Sequence, residues 1–165
     1  DNESVEAFLS LFEGLVLERK FNLPFYQAYE TAKFFAESSK GNKAELKNDF
    51  LGFLSFCFED PNGTQLSLDQ CRSLSFKYLS LHKYYSHGVF NDFKSLFLFL
   101  RDKKETGLPI ANALSITQEV LQNGPGPAKN FVDSYSYGLT QLNMKPGQSL
   151  ALALKLATYT KNKNE

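Results

Sequence analysis

The stretch Asn91-Asp92-Phe93-Lys94-Ser95-Leu96-Phe97-Leu98-Phe99-Leu100 decides how this chain is built. Phe93, Leu96, Phe97 and Leu100 recur at three- and four-residue spacing, the period of one face of an α-helix; a half-buried strand would alternate at every second residue. The same stripe occurs twice upstream, as Phe8, Leu11, Phe12 and Leu15 and as Phe50, Phe53, Leu54 and Cys57. Asn48-Asp49-Phe50 matches Asn91-Asp92-Phe93, and Asn130-Phe131 echoes both. Phe8, Phe50, Phe93 and Phe131 therefore share one slot, spaced 42, 43 and 38 residues apart. Four residues on, the slot holds Phe12, Leu54, Phe97 and Tyr135.

A second helix follows in each copy and keeps its own register. An apolar residue ends the loop (Leu23, Leu66, Leu108, Met144). A small residue comes five positions later (Ala28, Cys71, Ala113, Ser149), and another four beyond it (Ala32, Ser75, Thr117, Ala153). Three further on stand Phe35, Tyr78, Val120 and Leu156. Two small slots one turn apart lie on the same helix face and let a neighbouring helix approach closely. Six slots in four copies predict an all-α fold of four helix-hairpin repeats, about 4–43, 44–88, 89–124 and 125–160, in a single domain spanning 1–165. The fourth copy is the most divergent, with Ser134 and Gly138 where the others carry larger residues.

Pro and Gly punctuate the pattern and divide it into eight helices, about 4–20, 24–39, 44–59, 67–85, 90–104, 109–122, 127–142 and 146–160. Pro24 and Pro109 suit a first helical turn, Ser67 with Gln70 reads as a capping box, and Asn48 or Asp49 and Asn91 or Asp92 suit N-terminal turns. Asn123-Gly124-Pro125-Gly126-Pro127 reads as a linker. The hairpins would stack as a short solenoid or close into a compact bundle. The Trp, Leu-Gly and Tyr pattern of tetratricopeptide repeats and the Thr-Pro-Leu-His motif of ankyrin repeats are both absent from the sequence.

Composition narrows the function classes. The 165 residues are 42% hydrophobic, with 16 Phe, 8 Tyr and no Trp, enough for a thickly filled core. Lys and Arg balance Asp and Glu at 18 each. A neutral chain without a basic stripe argues against nucleic acid as a partner. No apolar run reaches the ~18–20 residues of a membrane helix. The first residue is Asp1; an exported protein numbered from its mature end begins this way, as does a trimmed cytoplasmic one, and export is the favoured expectation.

Catalytic signals are sparse. Cys57 and Cys71 flank the second hairpin's turn, where a disulfide could join them in an oxidising compartment; Cys71 also occupies a small core slot, where a buried thiol is ordinary. His82 and His87 are five apart, off the i, i+4 register of a helical metal pair, so no metal site is expected. Glu59 with Asp60, and Asp102 with Glu105, fall at helix ends and read as solvated surface rather than as acid–base pairs. No phosphate-binding loop, dinucleotide fingerprint or nucleophile elbow occurs, so no cofactor and no enzymatic activity are expected. Asn2-Glu3-Ser4 and Asn62-Gly63-Thr64 fit the glycosylation pattern. Tyr84, Tyr85 and His87, with Tyr137, combine apolar area with polar tips and are the candidate contact residues. These readings favour a non-enzymatic helical-repeat module that binds a protein or peptide. The alternative is a small-molecule or lipid carrier with a Phe-lined cavity.

Overall fold

Helices form where the apolar spacing places them. In the computed structural model, which describes residues 2–18, 21–38, 43–81 and 88–163, α1 spans Asn2–Glu13, α2 Phe25–Ser38, α3 Lys43–Phe58, α4 Leu68–Leu81, α5 Val89–Arg101, α6 Ile110–Leu121, α7 Pro125–Thr140 and α8 Pro146–Lys163. Among the described residues there is no strand. The chain divides into two compact units, Asp1–Lys83 and Tyr84–Glu165. In the first, α1 pairs with α2 and α3 with α4, while α1 also meets α3 and α2 meets α4. In the second, α5 pairs with α6 and α7 with α8, and α5 meets α7, α6 meets α8 and α6 meets α7.

The turn into the second helix of every hairpin has the same construction. A residue with left-handed backbone stands first: Asn22 (φ 57°), Gln65 (φ 57°), Gly107 (φ 56°) and Asn143 (φ 52°). Gly and Asn tolerate this region; Gln65 does not do so readily, and its side-chain amide donates to the Pro61 carbonyl at 3.3 Å. The loop-ending apolar residue follows and is half-buried in all four copies. Next comes a residue whose carbonyl accepts the first helical hydrogen bond from the small-slot amide. Ala28 donates to Pro24 (3.0 Å), Cys71 to Ser67 (2.8 Å), Ala113 to Pro109 (2.9 Å) and Ser149 to Lys145 (3.0 Å).

Burial follows the register. All eight small slots are fully buried, as are Phe50, Phe93 and Phe131, and Leu54, Phe97 and Tyr135. The exceptions fall in the first and fourth hairpins: Phe8 and Phe12 are half-buried, and Leu156 is 38% exposed.

The middle two hairpins also share their loop. Asp60 Oδ1 accepts from the Asn62 amide (2.8 Å), and Asp102 Oδ1 accepts from the Lys104 amide (2.9 Å), each closing an Asx turn. Thr64 Oγ1 then donates to the Cys57 carbonyl at 2.9 Å, and Thr106 Oγ1 donates likewise to Leu100. Asp60 and Asp102 therefore each close a turn from the surface positions their sequence context implies. The Thr64 hydroxyl of the second glycosylation pattern is buried and engaged.

Some local expectations change. The first helix does not continue as an α-helix to residue 20: a π-helical turn occupies Gly14–Glu18. Gly14 lies against α3 there, where a Cβ would fall 2.6 Å from Leu51 Cδ1. Pro125 and Pro127 are not linker but the opening turn of α7, where amides have no intrahelical acceptor and proline loses nothing. Pro109 caps α6 from outside, with ψ 156°, instead of entering its first turn. The capping box forms as expected: the Gln70 amide donates to Ser67 Oγ (3.2 Å) and the Ser67 amide to Gln70 Oε1 (3.1 Å). Lys145 and Gln148 repeat half of it, the Lys145 amide donating to Gln148 Oε1 at 3.2 Å.

Gly138 explains the divergence of the fourth copy. Ser149 Oγ donates to the Tyr135 carbonyl across the α7–α8 interface at 2.6 Å. A Cβ on Gly138 would meet that hydroxyl at 2.2 Å. Gly138→Ala is expected to lower stability by about 1–3 kcal/mol, the usual range for overpacking. Gly126→Ala, with no neighbour within 4 Å and a helical site, is expected to gain up to about 1 kcal/mol. Urea denaturation of the two variants beside the parent checks both signs.

Candidate interaction surface

α1 is apolar on two faces. Ala7, Leu11 and Leu15 form its buried stripe. Val5, Phe8, Leu9, Phe12 and Val16 form a second stripe at i, i+3, i+4, i+7 and i+11, which leaves Val5 56% and Leu9 51% exposed. The hairpin turn then sets the start of α2 beside it. Phe25 is 73% and Tyr26 71% exposed, and Tyr29 is also exposed.

Four of these rings close into a circuit. Phe8 stacks with Phe12 (centroids 5.9 Å), Phe12 meets Phe25 edge-on (5.6 Å), Phe25 stacks with Tyr29 (6.4 Å), and Tyr29 returns edge-on to Phe8 (5.3 Å). Stacked contacts run along each helix at i, i+4, and edge contacts run between the helices. Both geometries are favoured by the ring quadrupole. The rings therefore hold one another in place.

Both helices of this hairpin also expose acidic side chains. Glu3, Glu6, Glu13, Glu18, Glu30 and Glu37 are all exposed. Lys33 is the one cationic residue among the described residues of α1, its π turn and α2. Glu18 is paired with Lys47 of α3 at 3.4 Å.

Two other places could carry chemistry. In the second unit an open cleft of about 310 Å³ runs between α5 and α7. Asp92, Ser95, Leu96 and Phe99 line it from one face of α5, and Lys129 and Val132 from α7. Behind Phe99 the Tyr135 ring packs edge-on at 5.4 Å. The Tyr135 hydroxyl is buried without a hydrogen-bond partner; that burial, and secondarily the charge of Glu105, raises its pKa.

In the first unit, Cys57 and Cys71 are both buried thiols, and no disulfide joins them. Cys71 Sγ donates to the Leu66 carbonyl at 3.6 Å. A hydrogen bond with Cys57 lowers the Cys71 pKa; burial opposes this and Thr64 adds to it. The described residues contain no cluster of His, Cys, Asp and Glu able to hold a metal ion. None of the described helices is long and apolar enough to cross a membrane.

Of the contact residues expected from sequence, Tyr137 alone falls among the described residues. Tyr137 stands on α7, 55% exposed. Tyr84, Tyr85 and His87, together with His82, lie outside the described residues. The Phe8–Phe12–Phe25–Tyr29 cluster was not expected, because the repeat register assigns Phe8 and Phe12 to core slots. The signal was nevertheless present: Val5, Phe8, Leu9 and Phe12 added to Ala7, Leu11 and Leu15 make an apolar arc too wide for one core face. Compared with protein-family models, with curated proteins and with solved structures, the chain matches none.

Burial of the two cysteines yields a direct test. In protein purified under reducing conditions, iodoacetamide should leave both thiols unmodified in the native state and alkylate both after unfolding in guanidinium. Mass spectrometry reads the result, and rapid native labelling of either thiol would contradict the described core.

Proposed function

We propose that this chain is a non-enzymatic helical-repeat module that binds a protein or peptide, and that it does so through the aromatic face of α1 and α2. The observation that carries this reading is the four-ring circuit of half-buried Phe8 and Phe12 with exposed Phe25 and Tyr29, beside exposed Val5 and Leu9. Soluble chains seldom leave a contiguous apolar patch of this kind uncovered, and aromatic residues are enriched at the centres of protein interfaces. Rings held by one another lose little freedom when a partner arrives, which favours affinity. The four-fold recurrence of the left-handed turn residue and the cap-to-small-slot hydrogen bond supports reading the hairpins as copies of one unit.

The carrier alternative draws on the α5–α7 cleft, whose volume of about 310 Å³ sits at the low end for small-ligand sites, about 300–1,000 Å³. That cleft is open and contains one Phe, where a lipid carrier needs an enclosed apolar pocket. It supports the alternative less well than the ring circuit supports a docking face.

Selection from a displayed random-peptide library tests the module. Selected peptides should bind the parent chain and lose at least about tenfold in affinity, some 1.4 kcal/mol, against Phe25→Ala/Tyr29→Ala. Circular dichroism should be unchanged in that variant, since both side chains are already exposed, and Tyr137→Ala should bind normally. Equal binding to the double variant, or selection of no peptide alongside a co-purifying lipid, would defeat the reading.

A further inference from the structure

The occupant of the α1–α2 face can be specified by charge. The whole chain is neutral, but residues 1–83 hold 12 acidic and 9 basic side chains. That excess lies in residues 1–40, which hold seven acidic and four basic side chains. The apolar stripe from Val5 to Val16 covers about three helical turns, and the rings of α2 lie alongside it. Within its own unit, α1 is covered on its other stripe by a helix, α3.

Resting on the proposed docking role of this face, we propose that its partner is a basic amphipathic helix of another protein. Leu, Ile or Phe residues at i, i+3, i+4 and i+7 of that helix sit on the rings, and flanking Lys and Arg meet Glu6, Glu13 and Glu30. Apolar anchors on one stripe of a docked helix match an apolar stripe of the same period, which is the helix-in-groove mode of recognition. The net negative charge of this hairpin selects the sign of the flanking charges and raises the rate of encounter. Other occupants fit less well. An anionic membrane surface would be repelled by the net negative charge of this hairpin. A two-fold symmetric contact between copies of this face would set one negatively charged hairpin against another.

Synthetic peptides of about 14 residues test the proposal on the intact chain. One carries the apolar stripe flanked by Lys and Arg, a second carries the same stripe flanked by Glu, and a third keeps the basic composition with the stripe scrambled. Fluorescence anisotropy at low and high salt, with circular dichroism of the mixture, reads binding and helix formation.

The basic amphipathic peptide is expected to bind at least about tenfold more tightly than either control, to gain helix on binding and to weaken as salt rises. Glu6→Lys/Glu13→Lys should reverse the charge preference, and Phe25→Ala/Tyr29→Ala should abolish binding of both striped peptides. If the ring variant abolishes binding while the two striped peptides bind the parent equally, the charge inference falls and the docking face survives. If the ring variant changes nothing, both fall. Self-association in sedimentation that disappears in the ring variant, or binding to phosphatidylserine vesicles in preference to the peptide, would also overturn the proposal.

Discussion

The second helix of each hairpin is set by one short piece of backbone. A left-handed residue reverses the chain, an apolar residue tucks in behind it, and the next carbonyl accepts from an amide on a small side chain. Asn22, Gln65, Gly107 and Asn143 occupy the first position, and Ala28, Cys71, Ala113 and Ser149 the last. Because that last residue is small and buried, the helix it opens can lie close to its partner. The second small slot, one turn later, extends the close approach. Ser149 shows the limit of this arrangement, since its hydroxyl reaches the Tyr135 carbonyl only because Gly138 has no side chain.

Close seating of the helices determines which aromatic residues are left outside. Phe50, Phe93 and Phe131 are enclosed, and the corresponding Phe8 is not. In the first unit α1 uses Ala7, Leu11 and Leu15 for the helices beside it, so its Phe8 and Phe12 are turned toward the start of α2. There they meet Phe25 and Tyr29 and form the ring circuit. The candidate interaction surface is thus a consequence of the hairpin geometry acting on an α1 sequence that is apolar on two sides. Exposed Glu residues on both helices give this hairpin a net negative charge.

Much of this architecture is legible in the residues. Three- and four-residue spacing locates the helices, and the paired small residues identify the faces that meet. Ser67 and Gln70 form the cap their spacing implies. What escapes the sequence is local in origin. Pro125 and Pro127 look like loop residues, although the first helical turn has amides to spare. The Asx turns closed by Asp60 and Asp102 depend on backbone placement that periodicity does not encode. The π turn at Gly14–Glu18 carries no signature in the apolar spacing; its Gly14 lies against Leu51 of another helix. The ring cluster of the first hairpin escapes the sequence for a related reason: spacing shows that a side of a helix is apolar, but not which of two apolar sides receives a neighbour. Repeat register favours burial for Phe8 and Phe12, and only the three-dimensional neighbours of the first hairpin decide otherwise.

The central claim is that the rings of α1 and α2 form a docking surface. Aromatic resonances of Phe and Tyr, assigned in the free chain and followed while a selected peptide is added, report on it directly. The account predicts that Phe8, Phe12, Phe25 and Tyr29 shift or broaden together and saturably while Tyr137 and Phe99 stay in place. Perturbation centred on Phe99 and the α5–α7 cleft, with the four rings unmoved, would contradict it.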